Sequence, residues 1–375
     1  MKPQKIIQNE NNIQKINRLE LYAFLTSIEA TKETKDKIVD IFIDNNLINQ
    51  TLFKKRMHGS QTEKDYFLLM SCLPWVKSIN GLNQIQTKKH KTKYQVPDFT
   101  LLVENSSKKL FPIYVEVKNC HSDNNVRKIN KKQRTNLENY ANDYRIDLLI
   151  ATYWSKYQIW THNSLSNFDS NDKISFSDAV KNDLSHIFHD LHVIIPPFYT
   201  KTYYHQDKNK GNLPFGDKGF FQECRISKDK IQWNNIEEIQ AIIIDWIFNS
   251  DKDHICGTDD DGAYVIQKYS MPMMQKLSQL INIMFHKLHK HIEEKETTED
   301  LVGRLEIIRF GTVDLFLKNS SIFKFSYQIP DKRTKHTDHI FSLAYGEDWK
   351  LLPLFKGAVF KKSELQLSIS QVLKS

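Results

Sequence analysis

"VPDFTLLVENSSKKLFPIYVEVKNC", residues 96–120, reads as two apolar runs joined by a polar connection. Alternation and β-branched content predict strands over about 96–103 and 110–119, with "ENSSKK" as a hairpin connection. Asp98, Glu116 and Lys118 put charges where a buried sheet prefers none. Strand side chains alternate faces, so Glu116 and Lys118 project together while Val115 and Val117 point the other way. Antiparallel pairing of the two runs brings Asp98 alongside them.

Burying such charges costs several kcal/mol each unless they are paired or bind a cation. Mg²⁺ accepts one or two carboxylates, keeps several waters and takes phosphate oxygens as further ligands. Asp98, Glu116 and the carbonyl of Val117 form a sensible ligand set, with Mn²⁺ as a substitute ion. Lys118 is then placed to orient or help deprotonate a water, or to stabilise charge on phosphorus.

The rest of the chain serves as an internal control. E-x-K occurs at Glu33, Glu116 and Glu293, and Pro-Asp at Asp98 and Asp331. Only Asp98 and Glu116 combine the right order, a hairpin-length gap and strand character on both sides. The pair "PD" at 97–98 followed by "EVK" at 116–118 resembles the PD-(D/E)xK nuclease superfamily, over roughly residues 58–197. That superfamily includes restriction endonucleases, archaeal-type Holliday-junction resolvases and repair nucleases. The resemblance implies a restriction-endonuclease-like core, metal ligation by Asp98 and Glu116, and a catalytic Lys118. It also suggests an active-site role for Gln133 on the helix after E-x-K, and an acidic ligand at Glu63 on the helix before the hairpin. A capping box, "SQTE" from Ser60, explains Glu63 equally well.

Outward from this stretch lie two basic clusters. Lys88, Lys89, Lys91 and Lys93 precede it, and Arg127, Lys128, Lys131, Lys132 and Arg134 follow it. Cations flanking an acidic site suit a phosphate-backbone binder, which makes DNA the expected partner. The formal net charge of +8 agrees with a polyanionic partner without demanding one.

The pattern of elements predicts an α/β core with a mixed sheet flanked by helices. A helix is expected over 126–144, central and short strands in "IDLLIATYW" and "YQIWTH", a helix in "FSDAVKNDLSHIFHD" and a last strand in "LHVIIPP". The organisation reads as a helical N-terminal region over 1–57, a nuclease core over 58–200, a linker or long loop over 201–232, and an α+β C-terminal domain over 233–375. That last domain would supply target recognition or partner binding.

No apolar run approaches the ~18 residues that span a membrane, and the N-terminus lacks an apolar signal core, so a cytoplasmic protein is expected. Four scattered cysteines form no C-x-x-C, which argues against a disulfide framework or a cysteine zinc site. His186, His189 and His192 are expected at the surface or an interface. The expectation is a Mg²⁺-dependent DNA endonuclease of restriction, defence or mobile-element type. The alternatives are a junction resolvase or repair nuclease, and a non-catalytic nucleic-acid-binding adaptor. Paired cuts on two strands would call for a homodimer.

Overall fold

Hydrophobic strands that alternate or run continuously need a second layer to cover them, and here helices provide it. The computed structural model describes residues 61–345 apart from 74, 85, 106, 122–124, 206–218, 249, 252–253, 292–310, 313 and 327–333. The expected helical region 1–57 and the tail beyond 345 lie outside the described residues. The chain divides into two compact units, Met1–Tyr66 and Phe67–Ser375.

Helix α1 (61–72) is followed by β1 (Val76–Gly81), a short helix α2 (Lys88–Lys93), β2 (Phe99–Glu104) and β3 (Leu110–Cys120). Then come β4 (Val126–Lys128), α3 (Lys131–Tyr144), β5 (Asp147–Trp154) and β6 (Ile159–Ser164). The first sheet has the order β1-β2-β3-β5-β6. Its β1–β2 and β2–β3 pairs are antiparallel, β3–β5 is parallel, and β5–β6 is antiparallel. The protein is therefore mixed α/β, with a mixed sheet flanked by helices.

The parallel pair follows from chain order, because α3 carries the chain back across the sheet between β3 and β5. The run "DLLIATYW" reads as a central strand, and its Leu148, Leu149, Ile150 and Ala151 are all buried. One face of α3 buries Leu137 and Ala141 against Tyr114, Leu148, Ile150 and Trp154. Tyr114, Glu116, Lys118 and Cys120 alternate with Ile113, Val115 and Val117, so the charged pair lies on the sheet face that α3 covers.

Several expectations are corrected. The helix expected over 126–144 begins only at Lys131. Val126–Lys128 instead pairs antiparallel with β7 (Lys173–Ser175), and the Asn130 side chain caps α3 by accepting from the Lys132 amide at 2.9 Å. The expected helix over 176–190 is shorter. It forms α4 (Phe176–Lys181) and then a 3₁₀ turn over Ser185–Phe188.

The expected linker 201–232 contributes strands. β9 (Phe198–His205) and β10 (Phe220–Ser227) pair in a second sheet of order β11-β10-β9-β13-β12, with β11 (Asn234–Ile236), β12 (Ile255–Asp259) and β13 (Gly262–Tyr269). The β8 strand (His192–Ile195) does not close the first sheet. It lies between β14 (Met273–Lys276) and β15 (Lys324–Ser326). The expected boundary at residue 200 therefore cuts through a region in which earlier and later strands pair. His186 is 3% exposed and stacks on Phe341, so its expected surface placement is also corrected.

Candidate active site

Hairpin register decides which charges meet. Phe99 pairs with Val115, so one step beyond it Asp98 falls opposite Glu116. The Asp98 Oδ2 atom accepts a 2.7 Å hydrogen bond from the Val117 amide. This bond anchors the acidic residue at the entry to β2 and ties it to the backbone beside Glu116.

Glu116 is 1% exposed, the least accessible of the charged candidates. Its two oxygens have very different surroundings. Oε1 accepts from Gln95 Nε2 at 2.9 Å, from Gln133 Nε2 at 3.0 Å and from Lys118 Nζ. Oε2 is buried and has no hydrogen-bond partner among the described residues. A buried carboxylate oxygen with nothing to accept from is costly, and native folds keep few of them. Lys118 Nζ also donates to the Val117 carbonyl at 3.1 Å, so one ammonium bridges two of the three expected ligand groups.

The structure thus brings together Asp98, Glu116, Val117, Lys118 and Gln133. Gln133 enters from the first turn of α3, whose N-cap is Asn130. Gln95 joins them, although neither the motif nor its spacing predicts it. It sits between the partly buried Tyr94 and the buried Val96, three residues before Asp98. An amide inside the run "YQVPDF" is the signal that could have found it. Glu63 is partly buried on α1, beside buried Thr62, and belongs to the unit that ends at Tyr66.

The basic residues separate into two kinds. Lys89, Lys91, Lys128, Lys131 and Lys132 have exposed side chains, as a phosphate-contacting surface needs. Lys88 lies on α2, but its side chain is outside the described ones. Lys93 bonds to Tyr94 Oη at 2.6 Å and pairs with Asp143 at 3.1 Å. Arg134 pairs with Asp172 at 2.8 Å and with Glu138 at 3.1 Å. Arg127 donates from Nη1 to the Asn119 carbonyl at 2.9 Å. Burial pulls its guanidinium below the usual value, while the charge of Glu116 is among the influences opposing that shift. Arg127 and Arg134 are therefore committed to contacts within the chain.

Among the described residues, no three His, Cys, Asp or Glu side chains gather into a cluster able to hold a metal ion. The acidic groups here are a pair, and Mg²⁺ needs one or two carboxylates with the rest of its shell from water and phosphate. The unpartnered Oε2 of Glu116 fits that need. No described helix is long and apolar enough to cross a membrane. Comparison with protein-family models, curated proteins and solved structures finds no match to this chain.

Proposed function

We propose that this chain is a Mg²⁺-dependent DNA endonuclease with a restriction-endonuclease-like core, acting in restriction, defence or mobile-element biology. The observation that carries the reading is Glu116. Three donors converge on one of its oxygens, and the other oxygen is buried with no partner, beside Asp98 and Lys118. Further support comes from the order of elements: a three-stranded antiparallel meander, a covering helix, and a strand parallel to the third. That order agrees with the resemblance carried by "PD" and "EVK".

Asp98, Glu116 and the Val117 carbonyl would hold the ion. When bound, Mg²⁺ acidifies a water and neutralises charge on the phosphoryl oxygens. The chain's own groups do the rest. Glu116 is held in one orientation by its three donors. Lys118, already bonded to the Glu116 carboxylate and the Val117 carbonyl, keeps an ammonium at the point where a water is to be oriented and negative charge develops. The exposed lysines of α2 and the start of α3 draw in the phosphate backbone.

Incubation with plasmid, linear and four-way-junction DNA, in Mg²⁺, Mn²⁺ or EDTA, tests activity and substrate together. Ion-dependent cleavage of plasmid, lost in Asp98→Ala, Glu116→Ala and Lys118→Ala, is the expected result. Cleavage confined to junctions would favour a resolvase. Absence of cleavage under all conditions, with Glu116→Ala folding and binding DNA as the parent does, would leave the adaptor reading standing instead.

A further inference from the structure

The feature not accounted for by the expected ligand set is Gln95. Its side chain reaches the same oxygen of Glu116 that Gln133 reaches, from the opposite direction in sequence. Both placements trace to one face of α3. Gln133, Asn136, Asn139 and Asp143 recur at intervals of three and four, so they line one side of that helix. Gln133 acts directly. The Asn136 carbonyl accepts from the Gln95 amide at 3.2 Å, and its side chain donates to the Lys91 carbonyl at 3.3 Å. Asn139 donates to the Lys93 carbonyl at 3.1 Å, and Asp143 holds Tyr94 Oη and Lys93. The backbone from Lys91 to Gln95 is therefore stitched along α3, and Gln95 emerges at the end of the seam facing Glu116.

We infer that Gln95 is a positioning residue which, with Gln133, forms a two-amide clamp on Glu116 Oε1, so that Oε2 is fixed toward the bound divalent cation. This inference rests on the nuclease reading above and adds to it the element that sets the affinity of the ion. A carboxylate held by one amide can still turn about its last bond. Held by amides from two segments, it presents a single oxygen, and partners of this kind govern how tightly a ligand binds its ion. The lysines of α2 share this seam, so the segment offering cations to the phosphate backbone is continuous with the one that sets the carboxylate.

The test uses the full chain, with Mn²⁺ as the calorimetric probe in the absence of DNA. Gln95→Ala is expected to weaken Mn²⁺ binding roughly 10- to 100-fold. Its melting temperature in EDTA should stay near that of the parent, and cleavage should require correspondingly more Mg²⁺ for half-maximal rate. Should Gln95→Ala melt early, Gln95→Met, which keeps the length of the side chain without its donor, carries the same comparison. It too should weaken Mn²⁺ binding and raise the Mg²⁺ needed for half-maximal rate, which a merely structural role would not do. A folded variant that binds Mn²⁺ within twofold of the parent overturns the clamp while leaving the nuclease reading intact. A parent chain that binds no Mn²⁺ and cleaves nothing overturns both.

Discussion

Two buried charged clusters in this chain solve opposite problems. At Glu116 an anion receives three donors on one oxygen and none on the other. At Lys276, a cation 2% exposed at the end of β14, acceptors close in from several sides. Its Nζ donates to the Trp160 carbonyl at 2.8 Å, to Ser185 Oγ at 2.9 Å and to Asp183, and the Asp190 carboxylate stands 3.8 Å away. Asp183 in turn accepts from the His162 and Ser185 amides at 2.8 and 3.1 Å. The Lys276 cluster gathers carboxylates around a cation and links β14 to β6 and to the turn after α4; its Asp190 Oδ2 makes no hydrogen bond but stands within ion-pair reach of that cation. The Glu116 cluster gathers donors around an anion and leaves one of its own oxygens without a hydrogen bond.

That contrast can be broken by mutation. Lys276→Ala strands two buried carboxylates, and should destabilise the fold by about 3–5 kcal/mol, measured by urea denaturation. Glu116→Gln keeps an acceptor for Gln95, Gln133 and Lys118 while removing a buried charge. Its stability should change by no more than about 1 kcal/mol, while cleavage falls beyond the roughly 100-fold that loss of an outer partner costs a metal site. Equal destabilisation by the two substitutions would erase the distinction.

Acid sharpens the same comparison. Burial holds His162 down to about 3 and His186 to about 4, so both rings are neutral in the folded protein. Their unfolded value lies near 6.5. Between these limits the unfolded chain binds more protons, so stability is present above pH 6.5 and falls as the pH drops toward the folded values. The limiting slope is about 1.4 kcal/mol per pH unit for each ring. Denaturation at pH 7 and pH 5 should show the loss, and His162→Asn should reduce it. The smallest effect belongs to the surface: Lys89→Ala with Lys91→Ala should flatten the salt dependence of DNA binding by about 0.9 in log–log slope for each phosphate no longer neutralised. An unchanged slope would remove α2 from the interface.

The two clusters also differ in how visible they are in the sequence. Asp98, Glu116 and Lys118 are legible because charges in strand alternation conflict with burial, and only local pairing is needed to bring them together. Gln133 is placed by its helix. Lys276 has no such guide. The run "MPMMQKLSQL" reads as the start of a helix, yet its first part is β14, and its partners Asp183 and Ser185 come from a distant turn. α2 is hidden because "KKHKTK" has no apolar periodicity; it is held by the Thr87 cap and by side chains of α3. The strands flanking 206–218 are masked by the glycine, proline and charge between them, although "FYTKTYYH" and "FFQECRIS" supply strand-forming residues on either side.

The parallel ladder also sets when the Glu116 face of the sheet is completed. Ile113 meets Asp147 and Glu116 meets Ile150 only after the segment containing α3 has closed its loop. Such non-local pairing forms late and slowly compared with a hairpin. A chain still being synthesised, ending short of Asp147, would already carry Asp98, Glu116 and Lys118 but not the strand against which β3 docks. The pairing that seats Glu116 beside Ile150 is thus completed only once Asp147–Trp154 has been made.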